Sequence, residues 1–461
     1  METFTYRLIL RFVKGLNVLL MAIPLLVSWL TCYGQDVSLS GWTGAALITM
    51  IFMTQYISCG RIYECFLISL VRISEMIYSQ FLALMVTDVL MYAVICLLRK
   101  ELASPWGLLT VFAVQAALSV VWCVLSHQWY FRRFAPKKTV VVYDRNHRVN
   151  EMIHDSGLAK KFNITDTVTS EECIGGDFAV LTDTETVFLC GVHSHDRNRI
   201  LKYCMEKNIT MYILPSIGDI IMSGARKMHL FHLPFLRVER YDPSFQYLIG
   251  KRIFDVTVSA LALLILSPLM LITALAIKLS DGGPVLYRQV RLTKNGKPFK
   301  VLKFRSMRPD AEKDGKARLS TGAQDDRVTP VGRIIRKVRI DELPQLFNIL
   351  GGSMSIVGPR PERPEIAAQY EEELPEFALR LQAKAGLTGY AQVYGKYNTT
   401  PYDKLQMDLM YIAHPSFWED LRIILATVKI LFLPESTEGV AAGSITAMDA
   451  SGEAQKEETT V

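Results

Sequence analysis

The chain has 461 residues, half of them apolar and 21% charged, with a formal net charge of +6 at pH 7. That length has room for about three domain-sized units, and a composition this oily points to membrane segments. No dense Lys/Arg tract interleaved with aromatics stands out, which argues against a nucleic-acid groove and suits an anionic lipid surface.

Four apolar stretches, roughly 15–33, 41–59, 79–98 and 106–127, each approach the ~20 residues that cross a bilayer. The first is not a cleaved signal, because three more follow and no small-residue cleavage site is evident. Arg7, Arg11 and Lys14 precede the first span, Arg61 and Arg72 separate the second from the third, and Arg132, Arg133, Lys137 and Lys138 follow the fourth. The positive-inside bias therefore places both ends of the bundle in the cytoplasm, against a smaller outer pair, Arg99 and Lys100. Asp88, inside the third span, is read as a buried polar contact within the bundle, with a functional carboxylate as the alternative.

Residues 136–248 change character. "TVVVYD", "TVFLCGV" and "ITMYILPS" read as strands, and "DRNRILKYCMEKN" as a helix between the last two, which together suggest a small parallel α/β unit. Where a dinucleotide-binding strand would be followed by G-x-G-x-x-G, this chain has "YDRNHRVNEMI", so the unit is read as a degenerate Rossmann-like domain that binds no dinucleotide. His147, His154, His193 and His195 are read as surface histidines. The eight cysteines (Cys32, Cys59, Cys65, Cys96, Cys123, Cys173, Cys190 and Cys204) show no CxxC spacing and stop before the second half, which argues against a disulfide framework or thiol chemistry there.

Residues 256–277, "VTVSALALLILSPLMLITALAI", are long enough to span and carry no charge, yet Ser267-Pro268 falls at their middle. A mid-helix proline loses one backbone hydrogen bond, and a serine beside it can satisfy the freed carbonyl. A kinked fifth span and a re-entrant helix-break-helix both fit. Basic residues on both flanks, Lys251, Arg252 and Lys278, lean toward re-entry.

Downstream, "GGPVLYRQVR" reads as a turn into a strand, and "FKVLKFRSMRPDAEKDG" ends in an acidic run with Asp310 and Glu312. In "DDRVTPVGRIIRKVRIDELPQLFNIL", Gly332 is expected to close a turn, a helix to begin near Arg333, and Pro344 to sit in the first turn of a second helix. Asp341 and Glu342 would lie at that second helix start, where free N–H groups favour anions. Nearby Arg and Lys are expected to keep Asp341 ionised, as a nucleophile or a ligand for Mg²⁺ on a diphosphate. Solvated ion pairs are the plainer alternative.

The ordered motifs "KRIFDVTVS", the central "SP", "GGPVLYRQVR", "KFRSM", "DDRVTPVGR", "RIDELPQLFNILGGSMSIVGPRPERP" and "AGLTGYAQVYG" together resemble the large, multi-span bacterial polyprenyl-phosphate sugar-phosphate transferases. The resemblance covers roughly 249–433, and the N-terminal half matches much less specifically. It implies a membrane protein with a four-helix transmembrane bundle (1–135), a degenerate Rossmann-like α/β domain (136–248), and a mainly helical α/β monotopic phosphoglycosyl transferase domain (249–434). Residues 435–461 read as a disordered tail. Asp341 resembles the family's nucleophile and Mg²⁺ contact, and Glu342 its catalytic partner. Lys303, Arg305, Arg336 and Arg360 resemble its phosphate-binding residues. Ser267 and Pro268 resemble the break that makes the membrane helix re-entrant, and Lys251, Arg252 and Asp255 its membrane-interface motif. "VYG" after Gln392 and the start "AGLTG" depart from the commoner pattern, near the region expected to touch sugar or membrane.

The reaction so implied moves a sugar 1-phosphate, glucose or galactose, from a UDP-sugar to undecaprenyl phosphate in the inner leaflet of a bacterial inner membrane. It releases UMP by way of a covalent aspartyl-phosphosugar, with Mg²⁺ as cofactor, the catalytic domain facing the cytoplasm and no nucleic acid involved. Self-association and contacts with other polysaccharide-assembly enzymes fit the N-terminal bundle. A UDP-releasing membrane glycosyltransferase and a non-catalytic scaffold of polysaccharide assembly are the competing readings.

Overall fold

Burial follows the hydropathy pattern in each half of the computed structural model, which describes residues 2–35, 37, 41–144, 158–241, 243–308, 327–395 and 399–431. The loop with His147 and His154, the acidic run with Asp310 and Glu312, and the tail 435–461 lie outside those residues. The chain divides into two units, Met1–Pro215 and Ser216–Val461.

The first unit opens with four long helices: α1 (Glu2–Ser28, continued by a π-turn at Trp29–Tyr33), α2 (Gly41–Ile62), α3 (Ile73–Arg99) and α4 (Trp106–Arg133). Each is long and apolar enough to cross a membrane. Large apolar side chains cover their outer surfaces, Val89, Leu97, Leu109 and Leu125 among them. Some polar groups that turn inward find partners there: Tyr56 donates to Asn17 Oδ1 at 3.0 Å and Gln115 to the Met21 carbonyl at 2.9 Å, while neither amide atom of buried Gln80 has one among the described residues. Such pairing is what a hydrocarbon surround demands. Asp88 is buried in α3, but neither carboxylate oxygen has a hydrogen-bond partner among the described residues, so the expected polar contact is not formed.

A four-stranded, fully parallel sheet follows, with β1 (Lys137–Tyr143), β2 (Phe162–Thr169), β3 (Thr186–Cys190) and β4 (Thr210–Ile213) in the order β2-β1-β3-β4. Helix α5 (Ser194–Glu206) buries Ile200 and Cys204 against Val140, Val142 and Leu189. Strand β2 was not legible in the sequence. It is an edge strand whose polar run, Asn163, Thr165, Asp166 and Thr167, carries no apolar signal.

The second unit begins with α6 (Ile217–Ser223) and a hairpin, β5 (Arg226–Leu230) and β6 (Leu233–Arg237). Ile220 of α6 is buried in this unit's main core with Leu405, Leu409 and Ile349, so α6 packs with the residues that follow it. Helix α7 (Phe245–Asp281) runs through Pro268 without interruption. The proline cannot bond the Leu264 carbonyl four residues back, and the Ser267 hydroxyl does so at 2.8 Å. The helix assignment is thus continuous across Pro268 for 37 residues, and a proline inside a helix bends it where it does not end it.

Both halves of α7 pack on the same unit. Phe254, Val258, Ala262 and Leu263 meet the main core, while Met270, Ala274 and buried Ile277 meet Phe304 and Ile335. The rest of the helix shows Leu264, Ile265, Leu271, Ile272 and Leu279, each more than 60% exposed. At about 1.5–3 kcal/mol for each large apolar side chain left in water, that stripe needs an apolar surround.

The antiparallel pair β7 (Leu286–Leu292) and β8 (Pro298–Phe304) comes next. Helices α8 (Pro330–Lys337) and α9 (Gln345–Leu350) flank the carboxylates, and the short strand β9 (Ser355–Val357) leads to α10 (Pro364–Glu373). Strand β10 (Gly386–Thr388) pairs in parallel with β9, and α11 (Pro401–Ala413) and α12 (Phe417–Leu431) close the unit.

Candidate active site

Asp341 and Glu342 lie on a single 3₁₀ turn, Ile340–Glu342, between α8 and α9. Helix α8 starts earlier than its sequence suggested. Thr329 caps it, accepting from the Gly332 N–H at 2.9 Å, and Pro330 takes the first helical position. Gly332 therefore sits inside the first turn instead of closing one. Its missing Cβ admits the Ser306 carbonyl, which an added methyl would overlap. Gly332→Ala is expected to cost about 1–3 kcal/mol and to push the end of β8, with Arg305, away from α8. Thermal unfolding together with the donor KM checks both effects.

At the far end of α8 the chain reverses through Arg339, whose φ of 55° is left-handed without being glycine. That conformation is disfavoured for a long side chain and marks a backbone held by its surroundings. Ile340 and Leu343, on either side of the carboxylates, provide the hold by packing against Ile277, Phe304 and Ile335.

The two carboxylates have different surroundings. Glu342 Oε1 accepts from Lys303 Nζ at 2.9 Å and Arg360 Nη2 at 3.4 Å. Burial alone would raise its pKa, but Lys303, Arg360 and Arg339 outweigh that and hold it well below the usual carboxylate range. Asp341 accepts no hydrogen bond among the described residues. Burial and then the Glu342 charge push it up to about 6, against the pull of Lys303, Arg336 and Arg339. The sequence expectation that neighbouring cations dominate at Asp341 is corrected: they dominate at Glu342, because Lys303 and Arg360 contact that residue directly. At pH 7 Asp341 is still mostly ionised, and less stabilised than its neighbour.

Lys303 lies on β8 one residue before buried Phe304, so strand alternation turns it to the opposite face. Arg305 is 7% exposed, packed where Gly283 lacks a side chain, and its N–H donates to the Val285 carbonyl at 2.9 Å. Arg336, on α8, acts on Asp341 through its charge. The structure thus brings Asp341, Glu342, Lys303, Arg336 and Arg360 together, and anchors Arg305 between Gly283 and the end of β8. Ser267 and Pro268 lie in the apolar part of α7. Lys251, Arg252 and Asp255 bind the folded unit itself: Lys251 pairs with Asp420 at 2.8 Å, Arg252 donates to the Ile349 and Leu350 carbonyls at 2.7 Å each, and Asp255 accepts from Ile356 N–H at 3.1 Å.

A second layer escaped the sequence reading. Glu362 is surrounded by Lys404 at 3.2 Å, Arg380 at 3.5 Å and Arg291 at 3.8 Å. Burial works to raise its pKa, yet Lys404, Arg380 and Arg291 hold it at about 2. Arg380, fully buried, also pairs with buried Asp408 at 2.6 Å and donates to the backbone carbonyl of Arg360 at 2.9 Å. The loop carrying Arg360 is therefore clamped from beneath. Glu362 sits in the quoted "GPRPERP", but its partners lie 18 to 71 residues away with no local pattern to connect them.

Among the described residues no three His, Cys, Asp or Glu side chains are grouped to hold a metal. One available carboxylate suits Mg²⁺, which binds through one or two carboxylates and completes its shell with water and substrate phosphate. Asp341 offers that carboxylate, and its burial beside a second negative charge is the environment a cation relieves.

A family model described as bacterial sugar transferase matches residues 246–434. A UDP-N-acetylgalactosamine-undecaprenyl-phosphate N-acetylgalactosaminephosphotransferase of Aeromonas hydrophila is 36% identical over 55% of this chain and 58% of its own length. A UDP-glucose:undecaprenyl-phosphate glucose-1-phosphate transferase of Caulobacter vibrioides is 44% identical over 40% of this chain and 71% of its own. An exopolysaccharide production protein of Rhizobium leguminosarum bv. phaseoli is 44% identical over 39% of this chain and 94% of its own. The chain spans less than two thirds of the Aeromonas relative, whereas the Rhizobium relative corresponds almost entirely to the matched region.

Proposed function

This chain belongs to the bacterial sugar transferase family, and from that premise we propose that it transfers a hexose 1-phosphate from a UDP-sugar to undecaprenyl phosphate and releases UMP. The observation that carries the reading is the division of labour at the 3₁₀ turn: Glu342 is neutralised by Lys303 and Arg360, while Asp341 beside it accepts no hydrogen bond among the described residues.

Asp341 attacks the sugar-proximal phosphorus, a phosphorus–oxygen bond to UMP breaks, and the phosphosugar stays on the aspartate. The phosphate oxygen of the lipid then attacks the same phosphorus and Asp341 leaves as carboxylate. The acceptor is already anionic at neutral pH, so no strong base is needed. Lys303, Arg336 and Arg360 face the donor diphosphate, and Glu342 keeps Lys303 and Arg360 in place. Mg²⁺ held by Asp341 with the donor phosphates would neutralise the charge that develops on the leaving group.

Support for a membrane position of the site comes from α7. If the helix crossed the bilayer, its two ends would emerge on opposite sides, yet residues of both halves pack on one unit. This supports re-entry into one leaflet through a bend at Pro268, and the positive-inside count supports a cytoplasmic face of a bacterial inner membrane as the side of that unit. We assign the N-terminal bundle an organising role through self-association or contact with other polysaccharide-assembly enzymes. Glucose is the first donor to test, because the glucose transferase of Caulobacter shares 44% identity and the N-acetylgalactosamine enzyme of Aeromonas 36%.

Purified protein given UDP-glucose, Mg²⁺ and undecaprenyl phosphate is expected to release UMP. Without the lipid it is expected to gain the mass of one hexose phosphate on the peptide containing Asp341. Release of UDP would instead assign a glycosyltransferase. No nucleotide release from folded protein with any UDP-sugar would leave the scaffold reading.

A further inference from the structure

We propose that a second anion site, separate from the Asp341–Glu342 turn, lies beside the N-terminal turns of α7 and takes a phosphate group. A cavity of about 90 Å³ opens there, lined by Lys251, Arg252, Lys294, Lys384, Asp255 and Ser355 among others. It has room for a phosphate-sized ion.

Three of these charges are already engaged within the fold. Lys251 pairs with Asp420, Arg252 binds two carbonyls at the end of α9, and Asp255 accepts from the Ile356 N–H. The Tyr411 hydroxyl is engaged as well, donating to Asp420 at 2.8 Å, whereas two lysines and a serine of the lining are not. Lys384 makes no hydrogen bond or ion pair among the described residues, and Lys294 only lies 5.6 Å over the Tyr241 ring. The Ser355 hydroxyl is buried, the residue being 1% exposed, and has no hydrogen-bond partner among the described residues. A buried hydroxyl left in that state costs about 1–3 kcal/mol.

Two lysines and a serine whose side-chain donors have no hydrogen-bond partner among the described residues therefore line one small cavity. Burial, then the Arg252 charge, lowers the Lys384 pKa against an opposing pull from Asp255, and a bound anion would offset both lowering effects. Asp255, which the Ile356 N–H already engages, is the one carboxylate among the lining residues.

The wall is pre-formed. Thr293 Oγ1 donates to the Ser353 carbonyl at 3.0 Å and accepts from the Ala385 N–H at 3.1 Å. The Ser355 N–H in turn donates to the Ala385 carbonyl at 2.9 Å. The segments carrying Lys294, Ser355 and Lys384 are thus stitched to each other before any ligand arrives. The apolar part of α7 starts at Val256, directly after Asp255, so a phosphate on a lipid headgroup and a phosphate free in solution can both reach the cavity. The site is independent of whether the chain transfers a sugar.

The test is lysine footprinting of the full chain in dodecyl maltoside, by reductive dimethylation and mass spectrometry, with inorganic phosphate or dihexanoyl phosphatidate as probe. Saturating probe is expected to slow labelling of Lys384 and Lys294 at least fivefold. Ser355→Ala is expected to raise the half-protecting concentration about tenfold. Lys384→Met, read at Lys294, is expected to do the same. Equal protection by both probes assigns a soluble anion, and protection by phosphatidate at far lower concentration assigns a lipid headgroup. Unchanged labelling of Lys384 and Lys294 overturns the site, as does protection of Lys303 alone, which would put the phosphate at the Asp341–Glu342 turn. Protection that survives both substitutions unaltered overturns it too.

Discussion

Asp341→Asn is expected to reduce nucleotide release on the order of 10³-fold or more and, at neutral pH, to raise the unfolding temperature. The two effects have one cause. In the folded chain burial and the Glu342 charge push the Asp341 carboxyl up to about 6, above its ordinary value of 3.8. Below pH 3.8 the group is protonated whether the chain is folded or not, and the fold has its full advantage. As pH rises through 6 the folded state must accept a poorly compensated charge, and the advantage is lost. By neutral pH the penalty is about 1–3 kcal/mol, and asparagine, neutral throughout, avoids it. Thermal scans of both proteins at pH 4.5 and 7.5 should show a gap that widens with pH. A variant less stable than the native chain at pH 7.5 would make Asp341 a structural ion-pair partner and remove the argument for its reactivity. The native kcat/KM should rise through pH 6, as the carboxylate forms, and then level off.

The second large effect is expected from the buried pair beneath Arg360. Asp408→Ala leaves Arg380 enclosed with only the more distant Glu362 to compensate it, and breaking a buried pair by removing one partner costs about 3–5 kcal/mol. Removing both charges, with Arg380→Met and Asp408→Leu together, is expected to recover much of that loss, because neither ion is then stranded. Donor binding should not recover with it. Arg380 also donates to the Arg360 carbonyl, and the double variant lacks that clamp, so the KM for the UDP-sugar should stay several-fold high while the melting temperature returns. A KM that recovers along with stability would make the pair a structural element with no part in positioning Arg360.

The contrast between these two sites shows what could be read from the sequence. Asp341, Glu342, Lys303, Arg336 and Arg360 were all nominated from motifs. Their types are unusual for their surroundings, and adjacent carboxylates among so many cations call for an explanation. Which carboxylate the cations would hold was not legible, because it depends on Lys303 and Arg360 arriving from two other segments at Glu342 instead of Asp341. Arg380, Asp408 and Lys404 went unnoticed because each sits in a locally ordinary amphipathic stretch, and their pairing exists only once the helices pack. Long apolar helices were legible from composition, as were β1, β3 and β4 from their apolar runs. Polar β2 was not. At Ser267-Pro268 the local chemistry was legible, a hydroxyl for the freed carbonyl, and with it the helix stays continuous through the proline.

The contacts that tie α7 to its unit also impose an order on synthesis. Arg252 finds its acceptors 97 and 98 residues later in the chain, Asp255 its donor 101 residues later, and Lys251 its partner 169 residues later. Chains are made from the N-terminus at about 5–20 residues per second, so for at least several seconds α7 exists with its charges unanswered by protein. During that interval only water and lipid headgroups can solvate them. The unit can close around the start of α7 only after the last of these partners, Asp420, has been made.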